Sequence, residues 1–138
     1  MNMEVIKEEK DVKVYKMRSI PRGLALIINN ANFKANSGFG PRIGSEVDVR
    51  NLENLFIYLG FTVFVKQDLV KNEIIKCSEK FKQRFEKKSV DMCIVCIMSH
   101  GHAGELVDID GVGIDIDAIK CLNWKYMDNH PGEFISKT

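Results

Sequence analysis

Apolar and polar positions along this chain follow two rhythms, one continuous or alternating and one helical. "GLALIINN", residues 23–30, is an unbroken apolar run closed by two asparagines, which suits a strand buried on both faces. Leu52, Leu55, Phe56 and Leu59 then recur at i, i+3, i+4 and i+7, predicting a one-sided helix. Ser45 and Asp48 stand at capping-box spacing to open that helix, and Gly60 ends it. "FTVFVKQ" (61–67) predicts a second strand. Ile74, Ser78, Phe81 and Phe85 stand about a turn apart in a second helix over 71–87, and "DMCIVCIMSHG" (91–101) reads as a third buried strand with a polar tip. Ahead of these, residues 1–22 are a charged lead-in whose "VKVYKM" can form a short edge strand. After them, "GELVDIDGVGIDID" alternates around Asp110-Gly111, the signature of a small antiparallel hairpin. "DAIKCLNWKYM" predicts a short helix, and "DNHPGEFISKT" is turn-rich.

Strand, helix, strand, helix, strand with short connections implies parallel strands, right-handed crossovers and helices on the sheet faces. Open parallel sheets bind ligands at the carboxyl ends of their strands. Those ends carry Asn29-Asn30 with the loop holding Arg42, then Gln67-Asp68, then Ser99-His100-Gly101. Topology alone therefore predicts that His100 and Arg42 share one rim.

Composition narrows the function classes. The 138 residues suit one domain, and a balance of 45% apolar to 28% charged residues is that of a globular chain. A net charge of +1 with mixed signs gives no nucleic-acid surface. "MCIVCIM" is far short of the roughly 20 residues a membrane span needs, and the charged N-terminus lacks a signal peptide's apolar stretch. A cytoplasmic protein with reduced thiols is the expectation for Cys77, Cys93, Cys96 and Cys121. Cys93-x-x-Cys96 has redox or zinc spacing, but positions three apart on a strand face opposite ways, so packing is expected there. Lysines 76, 80, 82, 87 and 88 are expected to be a solvated helix face. "DIDG" lacks the glycine and glutamate placement of a calcium loop. His100 and His102 lack a third ligand at metal spacing, and His102 and His130 are expected to be ordinary surface residues. No cofactor or metal is expected.

The loop "SGFGPRIGSEVD" (37–48) carries Gly38, Gly40 and Gly44 as G-x-G-x-x-x-G. A dinucleotide cradle needs its glycines directly after the first strand, whereas residues 31–37 intervene here and Pro41 removes a donor. The other reading makes Arg42 the working residue, with the glycines shaping the loop that presents it.

"VYKMRSIPRGLALIINNANF", "RIGSEVDVRNLENLF", "LGFTVFVKQDL" and "CIVCIMSHGHAG", in this order from about residue 14 to about residue 120, resemble the large subunit of a caspase, initiator-like in style. The resemblance implies an α/β, three-layer caspase-like fold with a mostly parallel sheet and helices on both faces, truncated after the third core strand and the hairpin. Residues 1–22 would be the lead-in, 23–120 the large-subunit domain and 121–138 a divergent tail. It implies that His100 is similar to the dyad histidine, that the Gly101 N–H is similar to one oxyanion donor, and that Arg42 is similar to the arginine that holds the substrate aspartate. That chemistry suits the residue types: imidazole exchanges protons near neutrality, guanidinium grips carboxylates, and an aimed N–H steadies an oxyanion.

The family's nucleophile sits in Q-A-C-x-G roughly 50 residues after the histidine. No Q-A-C occurs in this chain, "NHPGEFISKT" lacks the apolar run of a fourth core strand, and Cys121 is expected to be core or incidental. An open sheet edge and exposed apolar surface are therefore expected, inviting a partner or self-association. Two functions stay open. One is a non-catalytic regulator that binds a caspase or its adaptor. The other is the large-subunit portion of an aspartate-specific cysteine endopeptidase. A metal or redox protein using the histidines and cysteines is the remaining class.

Overall fold

The structure, a computed structural model, describes residues 18–102, 104–120 and 132–137, with side chains from 18 to 119. The expected edge strand "VKVYKM", Cys121 and His130 lie outside the described residues. The run Gly23–Asn29 forms β1, every residue of which is buried. It is flanked on one side by β2, Phe61–Gln67, and on the other by β3, Met92–Met98, both parallel to it. Helix α1, Ser45–Tyr58, and helix α2, Lys71–Lys87, are the two crossovers.

Alternation along β1 divides the core into two layers. Leu24, Leu26 and Ile28 pack with Ile74, Phe81 and Phe85 of α2, while Ala25 and Ile27 pack with Val49 and Phe56 of α1. Period-two side chains on a strand that has a helix on each face leave no polar side, which is why the run is continuously apolar. The three-layer parallel architecture is the expected one. Cys93 joins the α2 layer and Cys96 the α1 layer, so the two sulfurs face apart as their spacing on a strand requires.

The stripe on α1 differs from the one read in the sequence. Val49 and Phe56 are buried and Leu52 is half-buried, but Leu55 is 48% exposed and Leu59 39%. Positions 49, 52 and 56 fall on one side at 100° per residue, and the crowded apolar cluster 55–59 continues around to the outer face. Nor does Ser45 cap this helix. Gly44, at φ +85°, is the N-cap, and the Ser45 hydroxyl instead accepts a hydrogen bond from Asn29 Nδ2 at 3.1 Å. A partner inside the fold has taken the group that the capping pattern would use.

Residues Gly101–His102 (β4), Glu105–Val107 (β5) and Gly113–Asp115 (β6) form a small antiparallel sheet, the expected hairpin plus one further strand. Ile116–Lys120 is α3. Contrary to the expectation that the chain stops at three core strands, Gly132–Lys137 forms β7, parallel to β3, and the sheet order is β2-β1-β3-β7. An open strand edge offers a row of backbone partners whatever the side chains are, so a segment with little apolar character can still complete the ladder. Among the described residues no helix is long and apolar enough to cross a membrane.

Burial assigns the load on α1 to specific residues. Phe56→Ala is expected to cost about 3–5 kcal/mol by urea denaturation, whereas Leu55→Ala, on the exposed side, is expected to cost under about 1 kcal/mol. Equal losses would restore the stripe read from the sequence.

Candidate functional site

The loop 31–44 leaves β1 at the carboxyl end of the sheet and is fastened from three directions. Asp68, just past β2 and at φ 53°, accepts hydrogen bonds from the Ala31 and Asn32 amides at 2.9 and 3.0 Å and from Asn32 Nδ2 at 2.9 Å. Arg42 N donates to Ala31 O at 2.9 Å, closing the neck of the loop. The third fastening is the hairpin. Lys34 N donates to Ile109 O at 2.9 Å and Lys34 Nζ pairs with Asp110 Oδ1 at 2.7 Å. Gly111, at φ +85°, lies so close to Ser37 that a Cβ there would sit 2.5 Å from the Ser37 carbonyl oxygen.

Within this loop Arg42 is half-buried. Its Nη1 donates to Asn29 Oδ1 at 2.7 Å and to Asn30 O at 3.0 Å. Burial pulls the guanidinium below its ordinary pKa and Asp48 opposes that, but an arginine remains cationic at neutral pH. Nε and Nη2 make no hydrogen bond among the described residues, so two donors of a carboxylate-binding fork are uncommitted.

His100, the residue after the buried Ser99 at the end of β3, meets the same loop. Its Nε2 lies 2.9 Å from Gly40 O. A carbonyl can only accept, so in the neutral ring Nε2 carries the proton and Nδ1 is the basic nitrogen. Phe39 stacks on the ring at 5.3 Å between centroids and Phe33 tilts against it at 4.9 Å, fixing its plane. Gly101 follows as the first residue of β4, in register with Leu106, so its backbone is held beside the imidazole by the small sheet. The predicted rim is therefore real: His100 and Arg42 are joined through Gly40, two residues from Arg42.

The glycine pattern finds its use here. Gly40 contributes a carbonyl to His100 and Gly44 starts α1, so these residues shape the loop around Arg42. "DIDG" is a structural knot. Asp108, 2% exposed, accepts from the amides of Lys71, Asp110 and Val112 at 2.8, 2.9 and 2.8 Å. Among the described residues no group of His, Cys, Asp and Glu could hold a metal ion.

None of the three described cysteines shares the rim. Cys93 and Cys96 lie inside β3, where burial pushes their thiols up to about 12 and about 11, and half-buried Cys77, raised by burial as well, sits midway along α2. Such thiols are protonated at neutral pH and poorly nucleophilic.

Sequence reasoning placed His100, Gly101 and Arg42 on this rim but missed their neighbours Gly40 O, Phe33 and Phe39, as well as the scaffold role of Asn29, Asn30 and Asp68. The two asparagines closing an apolar run were the available signal, because buried amides need partners. A backbone carbonyl leaves none.

A family model described as a caspase domain matches residues 22–132. The chain is 40% identical over 97 residues to caspase-2 of Gallus gallus, covering 70% of this chain and 23% of that protein. It is 37% identical over 98 residues to caspase-3 of Mesocricetus auratus and 37% to caspase-3 of Bos taurus, in each case covering 70% of this chain and 35% of the relative. It thus spans about a quarter to a third of the length of these relatives.

Two outcomes follow from how the loop is held. Partial burial would raise the Asp68 carboxyl, but the bonds from Asn32 and Ala31 more than reverse this and hold it below the usual carboxylate range. A depressed pKa contributes stability above the unfolded value of about 3.9, and loses it as pH falls through the folded one. Asp68→Asn is therefore expected to lower Tm at neutral pH, with the gap to the parent protein narrowing below about pH 4. Thermal melts across pH check this, and a constant gap would contradict it. Gly111→Ala is expected to displace Ser37, raising amide exchange in loop 31–44 and shifting the His100 ring resonances. Unchanged spectra would show that the hairpin does not brace the loop.

Proposed function

The chain belongs to the caspase family, and from that premise we propose that it is a non-catalytic caspase-like protein of the cytoplasm, regulating caspase activity or cell-death signalling by binding a caspase or its adaptor. One observation carries the reading: the rim holds a positioned imidazole and an uncommitted guanidinium fork, while every described thiol lies elsewhere.

In an aspartate-directed cysteine peptidase a thiolate attacks the carbonyl carbon, a histidine moves the proton to the leaving amine, and a cation fixes the aspartate side chain. In this chain Nε and Nη2 of Arg42 would take the carboxylate, with the arginine already oriented by Asn29 and Asn30. His100 Nδ1 would accept or return a proton, with the Gly40 carbonyl steadying the imidazolium. The Gly101 N–H would face the developing oxyanion. Nucleophile and base act as a unit, so an aspartate-bearing chain could be held here without being cut.

The surface supports association. Val47, Leu55 and Tyr58 expose 50%, 48% and 87% of their surface on one side of α1. The outer edge of β7 is unpaired among the described residues. Exposed apolar side chains on a helix and an open strand edge, here at opposite ends of the sheet, are each the kind of surface that takes a partner.

A second reading is favoured by the working order of the rim itself. His100 on its carbonyl and Arg42 with open donors are also what the large-subunit portion of an active aspartate-directed cysteine endopeptidase would carry.

Titration of the purified chain into an active caspase, read by cleavage of an aspartate-ended fluorogenic peptide, separates these. The regulator gives no turnover alone and a saturable rise or fall in the caspase rate, lost in Tyr58→Glu. A flat response rejects it. Turnover by the chain when joined to a segment bearing a Q-A-C motif, abolished by His100→Ala, would establish the second reading.

A further inference from the structure

On the opposite side of β1 from α1, a groove of about 390 Å³ runs between β2 and α2. Its floor is apolar, made by Leu26, Phe64 and Phe81. Its rim is cationic: Lys66 comes from β2, and Lys76, Lys80 and Arg84 come from α2. The lysines expected to be a solvated face thus divide. Lys82 reaches toward Glu86 at 3.7 Å on the helix itself, while Lys76 and Lys80 turn to the groove. The charges of Lys66 and Lys80 are felt by the half-buried Cys77 thiol between them, and Arg84 lies 4.8 Å over the Phe64 ring.

Negative charge within the groove is scarce. Glu73 is its one acidic lining residue, and Glu73 Oε1 is occupied by the Val70 amide at the start of α2 at 3.2 Å. None of Lys66, Lys76, Lys80 and Arg84 forms an ion pair among the described residues. Four cations around an apolar floor match a ligand that is acidic at its edges and apolar at its centre.

The form of that ligand follows from the elements. β2 is the edge of the four-stranded sheet among the described residues, so its outer backbone groups are open to a further strand. Lys76, Lys80 and Arg84 stand four residues apart, about 6 Å of helix rise per step. Alternate residues of an extended strand advance by about 6.6–6.8 Å. A strand added to β2 would therefore present every second side chain in step with that row.

We infer that the groove between β2 and α2 is a docking site for an extended acidic segment of a partner polypeptide, pairing with the β2 edge and carrying carboxylates on either side of an apolar side chain at alternate positions. The site is separate from the rim of His100 and Arg42 and does not depend on the function proposed for it.

The probe is a short fluorescein-labelled peptide, blocked at both ends, with glutamates flanking a central phenylalanine at alternate positions and threonines between. Fluorescence anisotropy on the full chain is expected to show saturable binding that weakens with added salt. The Lys76→Glu/Lys80→Glu variant is expected to lose at least about tenfold in affinity, as is Lys66→Glu on the other bank. Arg42→Ala is expected to bind like the parent, which separates this groove from the rim. Amide shifts confined to β2 and α2 would support the placement. Absence of saturable binding, equal binding of a scrambled peptide of the same composition, or undiminished binding by the charge-reversal variants would overturn the inference. So would phosphatidylserine vesicles binding more tightly through the same lysines, since that would make the surface a lipid site.

Discussion

Two buried amides at the end of β1 organise the carboxyl rim of the sheet. Asn29 and Asn30 are wholly inaccessible to solvent, and an unsatisfied polar group there would cost about 1–3 kcal/mol. Asn29 Oδ1 receives Arg42 and Asn29 Nδ2 donates to Ser45, so one side chain sets both the guanidinium and the first residue of α1. Asn30 Oδ1 receives the Leu69 amide at 2.9 Å, tying β1 to the segment leading into α2. Satisfying the pair fixes the positions of loop, helix and strand ends together.

The rest of the rim is secured by elements distant in sequence. Asp68 holds the start of loop 31–44, the hairpin holds its middle through Lys34 and Ser37, and Gly40 in turn orients His100. Asp108 locks the hairpin and reaches the Lys71 amide at the start of α2. The imidazole is therefore positioned through the sheet, the hairpin and the loop at once. Such support is what a residue needs if it is to hold one orientation in a partly exposed setting.

The two faces of the sheet carry different surfaces outward. The α1 side leaves apolar side chains exposed, while the β2–α2 side gathers cations around an apolar floor. The buried thiols belong to neither surface. Cys93 and Cys96 fill opposite layers of the core, and desolvation makes them packing groups rather than reagents.

The sequence by itself determined the central sheet and its layers, because period-two and period-3.6 burial is written locally in "GLALIINN", in Ile74-Ser78-Phe81-Phe85 and in "MCIVCIM". Parallel topology then sufficed to bring His100 and Arg42 to one rim, and the motifs around them sufficed for the family. Tertiary structure alone decided that Gly40 O, 60 residues away, is the partner of His100, since every residue has a carbonyl and none advertises its target. It alone decided that Ser45 serves Asn29 instead of a helix cap, that Leu55 faces outward, and that Lys76 and Lys80 border a groove. β7 belongs with these: its pairing depends on the open edge of β3, a property of another segment and not of its own residues. Burial pattern is a property of neighbours in sequence, whereas hydrogen-bond partners and shared surfaces are properties of neighbours in space.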